Sequence, residues 1–179
     1  AKGYRTIIVI PNDQSPEKFE LLKAIGAEVR PVPPAPFKEP HNYNKIAAQI
    51  ASEMENAFWA NQFDNTANAQ THYATTGPEI WEQTGGEITA FVAAVGTGGT
   101  LAGVSRFLKD QSKSVAAYCA DPYGAAMWSW FKYGHFDFDD GDSIAEGIGQ
   151  GRVTENVAST RVDDAFRVSD RQMMATLNI

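Results

Sequence analysis

At residues 95–100 the chain reads Val95-Gly96-Thr97-Gly98-Gly99-Thr100, between an apolar run at residues 88–95 and a helix-like stretch at residues 101–109. A buried strand that turns through glycines into a helix presents backbone N–H groups and the positive end of the helix dipole at one point. Two threonine hydroxyls lie at the same point. The pattern predicts a phosphate site made by five residues, which are Gly96, Thr97, Gly98, Gly99 and Thr100.

This loop differs from the common nucleotide-binding motifs. The dinucleotide motif requires a third glycine where Leu101 stands, and the ATP and GTP loop requires a lysine after its last glycine. The phosphate of a small cofactor fits the loop better. A second interpretation stays open, in which the glycines only let the strand and the helix pack closely through a tight turn.

Strand-like and helix-like patterns alternate along the chain, beginning near its first residues. Residues 6–10 form a continuous, mostly β-branched run, which is typical of a parallel strand covered on both faces. The following helix is predicted to begin at Ser15 and Pro16 and to end at Gly26, and residues 27–32 return as a strand. A β-α-β order implies a right-handed crossover in a parallel sheet.

The region around the glycine loop repeats this order, with a strand at residues 88–95, a helix at residues 101–110 and a strand at residues 113–120. The predicted fold class is therefore α/β, with a parallel sheet. Five prolines between residues 31 and 40 form a predicted loop that crosses between subdomains. That crossing divides the chain into residues 1–34 and residues 35–179.

The segment between the two β-α-β units has a mixed pattern. Residues 42–55 are predicted to be a helix, and residues 57–60 a short strand. Residues 69–83 are predicted to be helical, with an interruption at Gly77-Pro78.

Charge and hydropathy exclude several classes of partner. The net charge is -7 and the sequence pI is near 4.9, whereas nucleic acids and acidic membrane surfaces are bound through clustered Lys and Arg. No apolar stretch is long enough to cross a membrane. The sequence therefore predicts a cytoplasmic protein with no nucleic-acid or membrane partner.

Cysteine and histidine are sparse. The single Cys119 excludes an internal disulfide and lies in a strand-like run, so it is predicted to be a buried small hydrophobe in a reducing compartment. His41, His72 and His135 are far apart and have no carboxylate or thiol at ligand spacing. No metal site is predicted.

Four motifs follow one another along the chain. They are Asn61-Gln62-Phe63-Asp64-Asn65-Thr66-Ala67-Asn68, Thr75-Thr76-Gly77-Pro78-Glu79-Ile80-Trp81, the loop at residues 95–100 and Glu146-Gly147-Ile148-Gly149. In this order they resemble the motifs of the cysteine synthase (O-acetylserine sulfhydrylase) family. That family belongs to the fold-type II pyridoxal-phosphate enzymes, which are related to tryptophan synthase β. The resemblance therefore implies an α/β fold with a three-layer, doubly wound parallel sheet, and pyridoxal 5'-phosphate as the cofactor.

The resemblance also implies a reaction and roles for particular residues. The reaction is a β-replacement that forms L-cysteine from O-acetylserine and sulfide, on a cofactor that carries the hard chemistry. The loop residues would hold the cofactor phosphate, Gly147 would lie near the cofactor, and Gln62 would lie near the substrate carboxylate. Two alternatives stay open, because Gln62 could simply bond to a loop backbone and Gly147 could simply permit a turn.

The resemblance covers the middle portion of the family's sequence. The Schiff-base lysine and the substrate-carboxylate loop of the family precede the part that residues 1–10 resemble, and the serine that contacts the pyridine nitrogen follows the part that this chain resembles. No catalytic residue is therefore assigned. The isolated chain is predicted to be inactive, incomplete at both ends, with residues 1–34 in a small subdomain and residues 35–179 in a large cofactor-phosphate-binding subdomain.

The implied partners are a small amino-acid substrate and either a second copy of the chain, as a dimer, or missing segments of the same protein. Two alternative functions stay open beside cysteine synthesis. One is a non-catalytic, truncated or regulatory chain with the same fold. The other is a related pyridoxal-phosphate lyase such as cystathionine β-synthase.

Overall fold

A computed structural model describes residues 2–138 and 141–177 of the chain. The chain falls into two compact units, Ala1–Asn61 and Gln62–Ile179. The strands are β1 (Ile7–Pro11), β2 (Glu28–Val32), β3 (Ala90–Ala93), β4 (Ala116–Pro122) and β5 (Asp164–Val168). The helices are α1 (Pro16–Ala24), α2 (Tyr43–Glu53), α3 (Ala67–Ala74), α4 (Thr76–Gln83), α5 (Gly99–Gln111), α6 (Met127–Tyr133), α7 (Glu155–Ala158) and α8 (Asp170–Leu177). The predicted subdomain boundary after residue 34 stays a prediction.

The first unit contains the predicted β-α-β arrangement. β1 and β2 pair in parallel, with Val9 opposite Arg30, and α1 connects them. Pro16 is the first residue of α1, where its missing N–H costs no hydrogen bond. Gly26 follows the helix with φ at +88°, the left-handed conformation that ends many helices. Ser15 occupies the N-cap position, although its side chain makes no capping hydrogen bond.

Asn42 connects the proline-rich segment to α2. Its side chain accepts a hydrogen bond from the N–H of Asn44 (3.0 Å) and donates one to the carbonyl of Ala35 (2.8 Å). Only 4% of Asn42 is exposed. The buried amide is thus satisfied on both sides, and it fixes the start of a helix that packs against β1.

The second unit is built on three parallel strands in the order β3, β4, β5. α5 connects β3 to β4, while α6 and α7 lie between β4 and β5 along the chain. Since all three strands run the same way, their carboxyl ends meet at one edge of the sheet. The glycine loop follows the carboxyl end of β3, and this edge is where ligands bind in open parallel sheets. The predicted α/β class with parallel sheets is confirmed.

The core of the second unit forms around α5 and β4. Its buried apolar side chains are Val95, Leu101, Val104, Leu108, Val115, Cys119, Met127, Val157 and Ala165. Burial, together with the nearby Asp121 carboxylate, raises the pKa of the Cys119 thiol to about 12. Cys119 is therefore a protonated, buried side chain, which confirms its prediction as a small hydrophobe.

Two local predictions, one for residues 57–60 and one for residues 69–83, are wrong. The described strands do not include residues 57–60, where Phe58 is 83% exposed, because a short apolar run becomes a strand only beside a strand that offers a hydrogen-bond ladder. The helix at residues 67–83 breaks at Thr75 rather than at Gly77-Pro78. Pro78 lies in the first turn of α4, where its missing N–H is not needed.

The longest described helix is α5, with 13 residues. A membrane-spanning helix needs about 20 predominantly apolar residues. Among residues 2–138 and 141–177, no helix has the length and apolar character to cross a membrane.

Candidate functional site

The predicted phosphate loop leads directly into α5. Gly98 is the N-cap residue, with φ at +88° and ψ at -9°, and Gly99 is the first helical residue. The first helical hydrogen bond runs from the N–H of Ala102 to the carbonyl of Gly98 (2.9 Å). The N–H groups of residues 98–101 therefore have no acceptor within the helix, and the positive end of the helix dipole lies among them. This geometry is suited to binding an anion.

The glycines of the loop are required by close contacts within the protein. An added Cβ at Gly96 would lie 2.4 Å from the carbonyl oxygen of Gly147, and one at Gly98 would lie 2.3 Å from Cγ2 of Val157. At Gly99 it would lie 2.0 Å from Oδ1 of Asn68. The close-packing interpretation is thus correct for all three glycines. It does not compete with phosphate binding, because the same packing holds the N–H groups in place.

Gly147 lies against the loop, and its place near a cofactor stays a prediction. Besides the contact of its carbonyl with Gly96, the N–H of Gly149 donates to the carbonyl of Val95 (3.0 Å). Nε2 of Gln150 donates to the carbonyl of Gly96 (3.0 Å). Gly147 is exposed, and its φ of +83° is one that residues with a side chain rarely adopt. Gly147 therefore both permits a turn and lies beside the loop.

Gln62 is connected to the phosphate loop through the side chain of Asn68. Its side chain is exposed, and its backbone carbonyl accepts a hydrogen bond from Nδ2 of Asn68 (3.1 Å). The same Nδ2 donates to Oγ1 of Thr97 (2.9 Å). The structure therefore brings together the segment that carries Gln62 and the phosphate loop.

Two fully buried polar residues that the sequence does not single out hold these segments together. Oγ1 of Thr154 donates to the carbonyl of Thr97 (2.8 Å) and accepts from the N–H of Val157 (3.1 Å). Nδ2 of Asn156 donates to the carbonyl of Phe63 (2.7 Å), and Oδ1 accepts from the N–H of Ala69 (3.2 Å). The role of Thr154 could be predicted from the sequence, because threonine is a common N-cap residue. The role of Asn156 could not, because its partners are distant along the chain.

An ion pair between Arg152 and Asp64 joins the segment before α7 to the segment that carries Gln62. The guanidinium of Arg152 donates to both carboxylate oxygens of Asp64 (3.0 and 2.9 Å), and the N–H of Glu155 donates to one of them (3.1 Å). The Arg152 hydrogen bond, helped by the Glu155 N–H, holds the pKa of the Asp64 carboxyl below its usual value. Both side chains are about a quarter exposed. This bidentate geometry is the strong form of an ion pair.

His72 connects the other loop threonine to α4. Nε2 of His72 lies 3.1 Å from Oγ1 of Thr100, and Nδ1 lies 2.9 Å from Oγ1 of Thr76. In a neutral imidazole one ring nitrogen donates and the other accepts. His72 therefore joins two hydroxyls, and one of them belongs to the predicted phosphate site.

Known proteins resemble this chain in sequence and in fold. A family model described as pyridoxal-phosphate dependent enzyme matches residues 1–179. The chain is 49% identical to cysteine synthase 1 of Neurospora crassa, over 96% of this chain and 47% of that protein. It is 47% identical to cysteine synthase 1 of Emericella nidulans, over 96% of this chain and 48% of that protein. The chain spans about half the length of the curated relatives it matches.

Among solved structures, the chain matches an O-acetylserine dependent cystathionine beta-synthase from Helicobacter pylori with a TM-score of 0.80 and 28% identity. The match covers 96% of this chain and 53% of that chain. The resemblance to cysteine synthases that the four motifs indicate is thereby confirmed, and so is the fold that it implies.

Proposed function

The chain belongs to the family of pyridoxal-phosphate dependent enzymes, and we propose that it is part of an enzyme that forms L-cysteine from O-acetylserine and sulfide. The proposal is supported by the 47–49% identity to two cysteine synthases over 96% of this chain. A second support is the loop at residues 96–100, which lies at the carboxyl edge of a parallel sheet and at the start of α5.

The loop is the observation that carries the proposal. The residues present fit a phosphate group, because the N–H groups of residues 98–101 and the hydroxyls of Thr97 and Thr100 are donors at one helix start. We assign Gly96, Thr97, Gly98, Gly99 and Thr100 to the cofactor phosphate. When bound, pyridoxal phosphate acts as an electron sink for the amino-acid substrate, so that a group on the β-carbon can be replaced. The loop's part is to hold and orient the cofactor.

We assign the two remaining residues of the site by position and chemistry. Gly147 packs its carbonyl on Gly96 and has no side chain of its own, which leaves space beside the loop for a cofactor ring. Gln62 has an exposed amide that can donate to a substrate carboxylate. A small amino acid is the substrate class that follows from both the family and these residues.

One alternative reaction shares the amino-acid donor but differs in the nucleophile. The neighbour from Helicobacter pylori is an O-acetylserine dependent cystathionine beta-synthase, at 28% identity. The cysteine synthases are considerably closer in sequence, at 47–49%. We therefore propose sulfide as the nucleophile.

Oligomeric state and compartment are further proposals. We propose a homodimer, supported by large exposed apolar side chains such as those of Phe58, Phe138 and Ile144. We propose the cytoplasm as the compartment, supported by an acidic chain whose single cysteine is a buried free thiol.

The test of the phosphate site compares two cofactor forms. Purified protein is titrated with pyridoxal phosphate and with pyridoxal, which lacks the phosphate. We expect pyridoxal phosphate to bind more tightly, and inorganic phosphate to compete with it. Thr97→Val removes one hydrogen bond to a charged group, which is worth about 1.5–3 kcal/mol, and should weaken binding about 10- to 100-fold.

The matched control is Thr84→Val. The hydroxyl of Thr84 bonds to the carbonyl of Ile80 at the end of α4, so this variant makes the same chemical change away from the loop. It should bind pyridoxal phosphate as the native protein does. Equal affinity for pyridoxal and pyridoxal phosphate would show that the loop does not hold the phosphate.

A further inference from the structure

We propose that Asn68 is a positioning residue that makes the Thr97 hydroxyl a donor for the bound phosphate and links phosphate binding to the position of Gln62. This inference rests on the proposed function, because it assumes that the loop holds a phosphate. Asn68 lies near the start of α3, six residues beyond Gln62. Its side chain contacts both the phosphate loop and the residues around Gln62, which we call the substrate segment.

The orientation of the Asn68 amide is fixed by the chemistry of its neighbours. Nδ2 lies 3.1 Å from the backbone carbonyl oxygen of Gln62 and 2.9 Å from Oγ1 of Thr97. A backbone carbonyl can only accept, so the nitrogen of the amide and not its oxygen must face Gln62. The two protons of Nδ2 are then both used. One is donated to the Gln62 carbonyl and the other to the Thr97 hydroxyl.

These donations decide what Thr97 can do. Its Oγ1 accepts from Nδ2 of Asn68 at 2.9 Å, whereas the N–H of Gly99 lies 3.4 Å away, too far for a strong hydrogen bond. Because the amide nitrogen of Asn68 can only donate, the Thr97 hydroxyl is an acceptor in this bond. The hydroxyl proton of Thr97 is therefore left to donate to a third partner. A phosphate oxygen is an acceptor of the required kind.

The connection is short and tightly packed. An added Cβ on Gly99 would lie 2.0 Å from Oδ1 of Asn68, so the amide lies directly against the first residue of α5. On the other side, the Thr97 carbonyl is held by the buried hydroxyl of Thr154 (2.8 Å). Thr97 is thus held on one side by Asn68 and on the other by Thr154. A movement of its side chain must therefore also move Asn68.

Such a shift reaches the substrate segment through one peptide group. The Gln62 carbonyl belongs to the same peptide as the N–H of Phe63, so the Phe63 amide reports on the bond from Asn68. A second donor, Nδ2 of Asn156, lies 3.5 Å from the same carbonyl and is the weaker of the two contacts. The Gln62 backbone carbonyl is therefore held chiefly by Asn68, next to the bonds that Asn156 makes to the same segment.

The experiment is a titration of the ¹⁵N-labelled protein with inorganic phosphate, followed by amide NMR. In the native protein we expect the signals of Gly98, Gly99, Thr100 and Phe63 to shift together. In Asn68→Ala the phosphate affinity should fall up to about tenfold, because the neutral bond that orients the Thr97 hydroxyl is lost. At saturating phosphate the loop signals of this variant should shift while the Phe63 signal stays unchanged.

Asn65→Ala is the matched control. The side chain of Asn65 accepts from the N–H of Ala67 (3.0 Å) at the start of the same helix, so its loss destabilises α3 locally without changing the bond from Asn68 to Thr97. This variant should keep the native phosphate affinity and the Phe63 response. Asn65→Ala and Asn68→Ala behaving alike would overturn the proposal, since Asn68 would then act only through the stability of α3.

Variants of Thr97 test the bond between Asn68 and Thr97 from the Thr97 side. They test it even if Asn68→Ala does not fold. Thr97→Ser keeps the hydroxyl and should keep the Phe63 response, whereas Thr97→Val should lose that response at saturating phosphate. A Phe63 response that persists in Thr97→Val would overturn the link. If phosphate shifts no loop signal in the native protein, the phosphate site itself fails, and this inference fails with it.

Discussion

At the scale of single residues, the pair of Arg152 and Asp64 should make stability depend on pH. The carboxyl of Asp64 has a lowered pKa in the folded protein, so the unfolded chain binds more protons in acid. The pair therefore stabilises the fold above the unfolded pKa of about 4, and the stabilisation is lost as pH falls through the lower folded pKa. Arg152→Ala should reduce the free energy of unfolding by about 2 kcal/mol at pH 7.

The measurement is urea denaturation of both proteins at pH 7 and in acid. The difference between native protein and Arg152→Ala should shrink as the pH drops below 4, because the protonated Asp64 no longer needs Arg152. Arg5→Ala serves as the control. Arg5 pairs with Glu28 on the surface and is 70% exposed, so its loss should cost less than about 1 kcal/mol. An effect of Arg152→Ala that is equal at both pH values would contradict this account.

The sequence predicts some residues of the site and misses others for a physical reason. Thr97, Gly98 and their neighbours can be proposed from the sequence because a strand, a glycine turn and a helix follow one another locally. Asn156 is not found, because its side chain bonds to Phe63 and Ala69, which lie 93 and 87 residues away. A polar residue whose partners are distant carries no local pattern, and only the folded structure shows its role.

At the scale of elements, the close approach of α3 and α5 depends on Gly103. An added Cβ at this position would lie 2.3 Å from the carbonyl oxygen of Ala69 and 2.6 Å from Cβ of His72. Gly103→Ala gains about 1 kcal/mol of helix propensity. Because backbone atoms of α3 cannot move aside cheaply, we still expect a net loss of about 2 kcal/mol in the free energy of unfolding.

Gln111→Ala is the control on the same helix, since Gln111 is exposed at the end of α5. Its effect on stability should stay within about 0.5 kcal/mol. Both variants are compared by chemical denaturation. If Gly103→Ala is as stable as the native protein, the two helices do not pack as closely as the structure shows.

Elements with strong local patterns are the ones that the sequence predicts. β1, α1, β2, β3, α5 and β4 follow from apolar runs, caps and glycines, although β3 is shorter than its apolar run. The sequence does not predict β5, because Asp164 and Arg167 interrupt its apolar residues. Its place beside β4 is set by parallel pairing, which is a tertiary property.

At the scale of the whole molecule, the identity of the nucleophile separates the two candidate reactions. The whole enzyme of which we propose this chain to be a part, given O-acetylserine with both sulfide and homocysteine, should form cysteine in preference to cystathionine. Gln62→Ala should raise the KM for O-acetylserine about tenfold, as expected for a lost bond to a carboxylate.

Gln70→Ala removes an exposed amide from α3 and serves as the matched control. It should leave KM unchanged. Cystathionine as the main product would overturn sulfide as the nucleophile. The chain would belong to the pyridoxal-phosphate dependent enzymes in either case.

The three packed glycines of the phosphate loop also restrict how such a loop can change during evolution. Gly96, Gly98 and Gly99 each face a different and distant segment, at Gly147, Val157 and Asn68 respectively. A side chain gained at any of the three would require a compensating change in its own partner segment. Substitutions at Gly96 or Gly99 should therefore be accepted only together with a change in the segment that each one contacts, whereas the φ of +88° at Gly98 disfavours a side chain whatever its partner does.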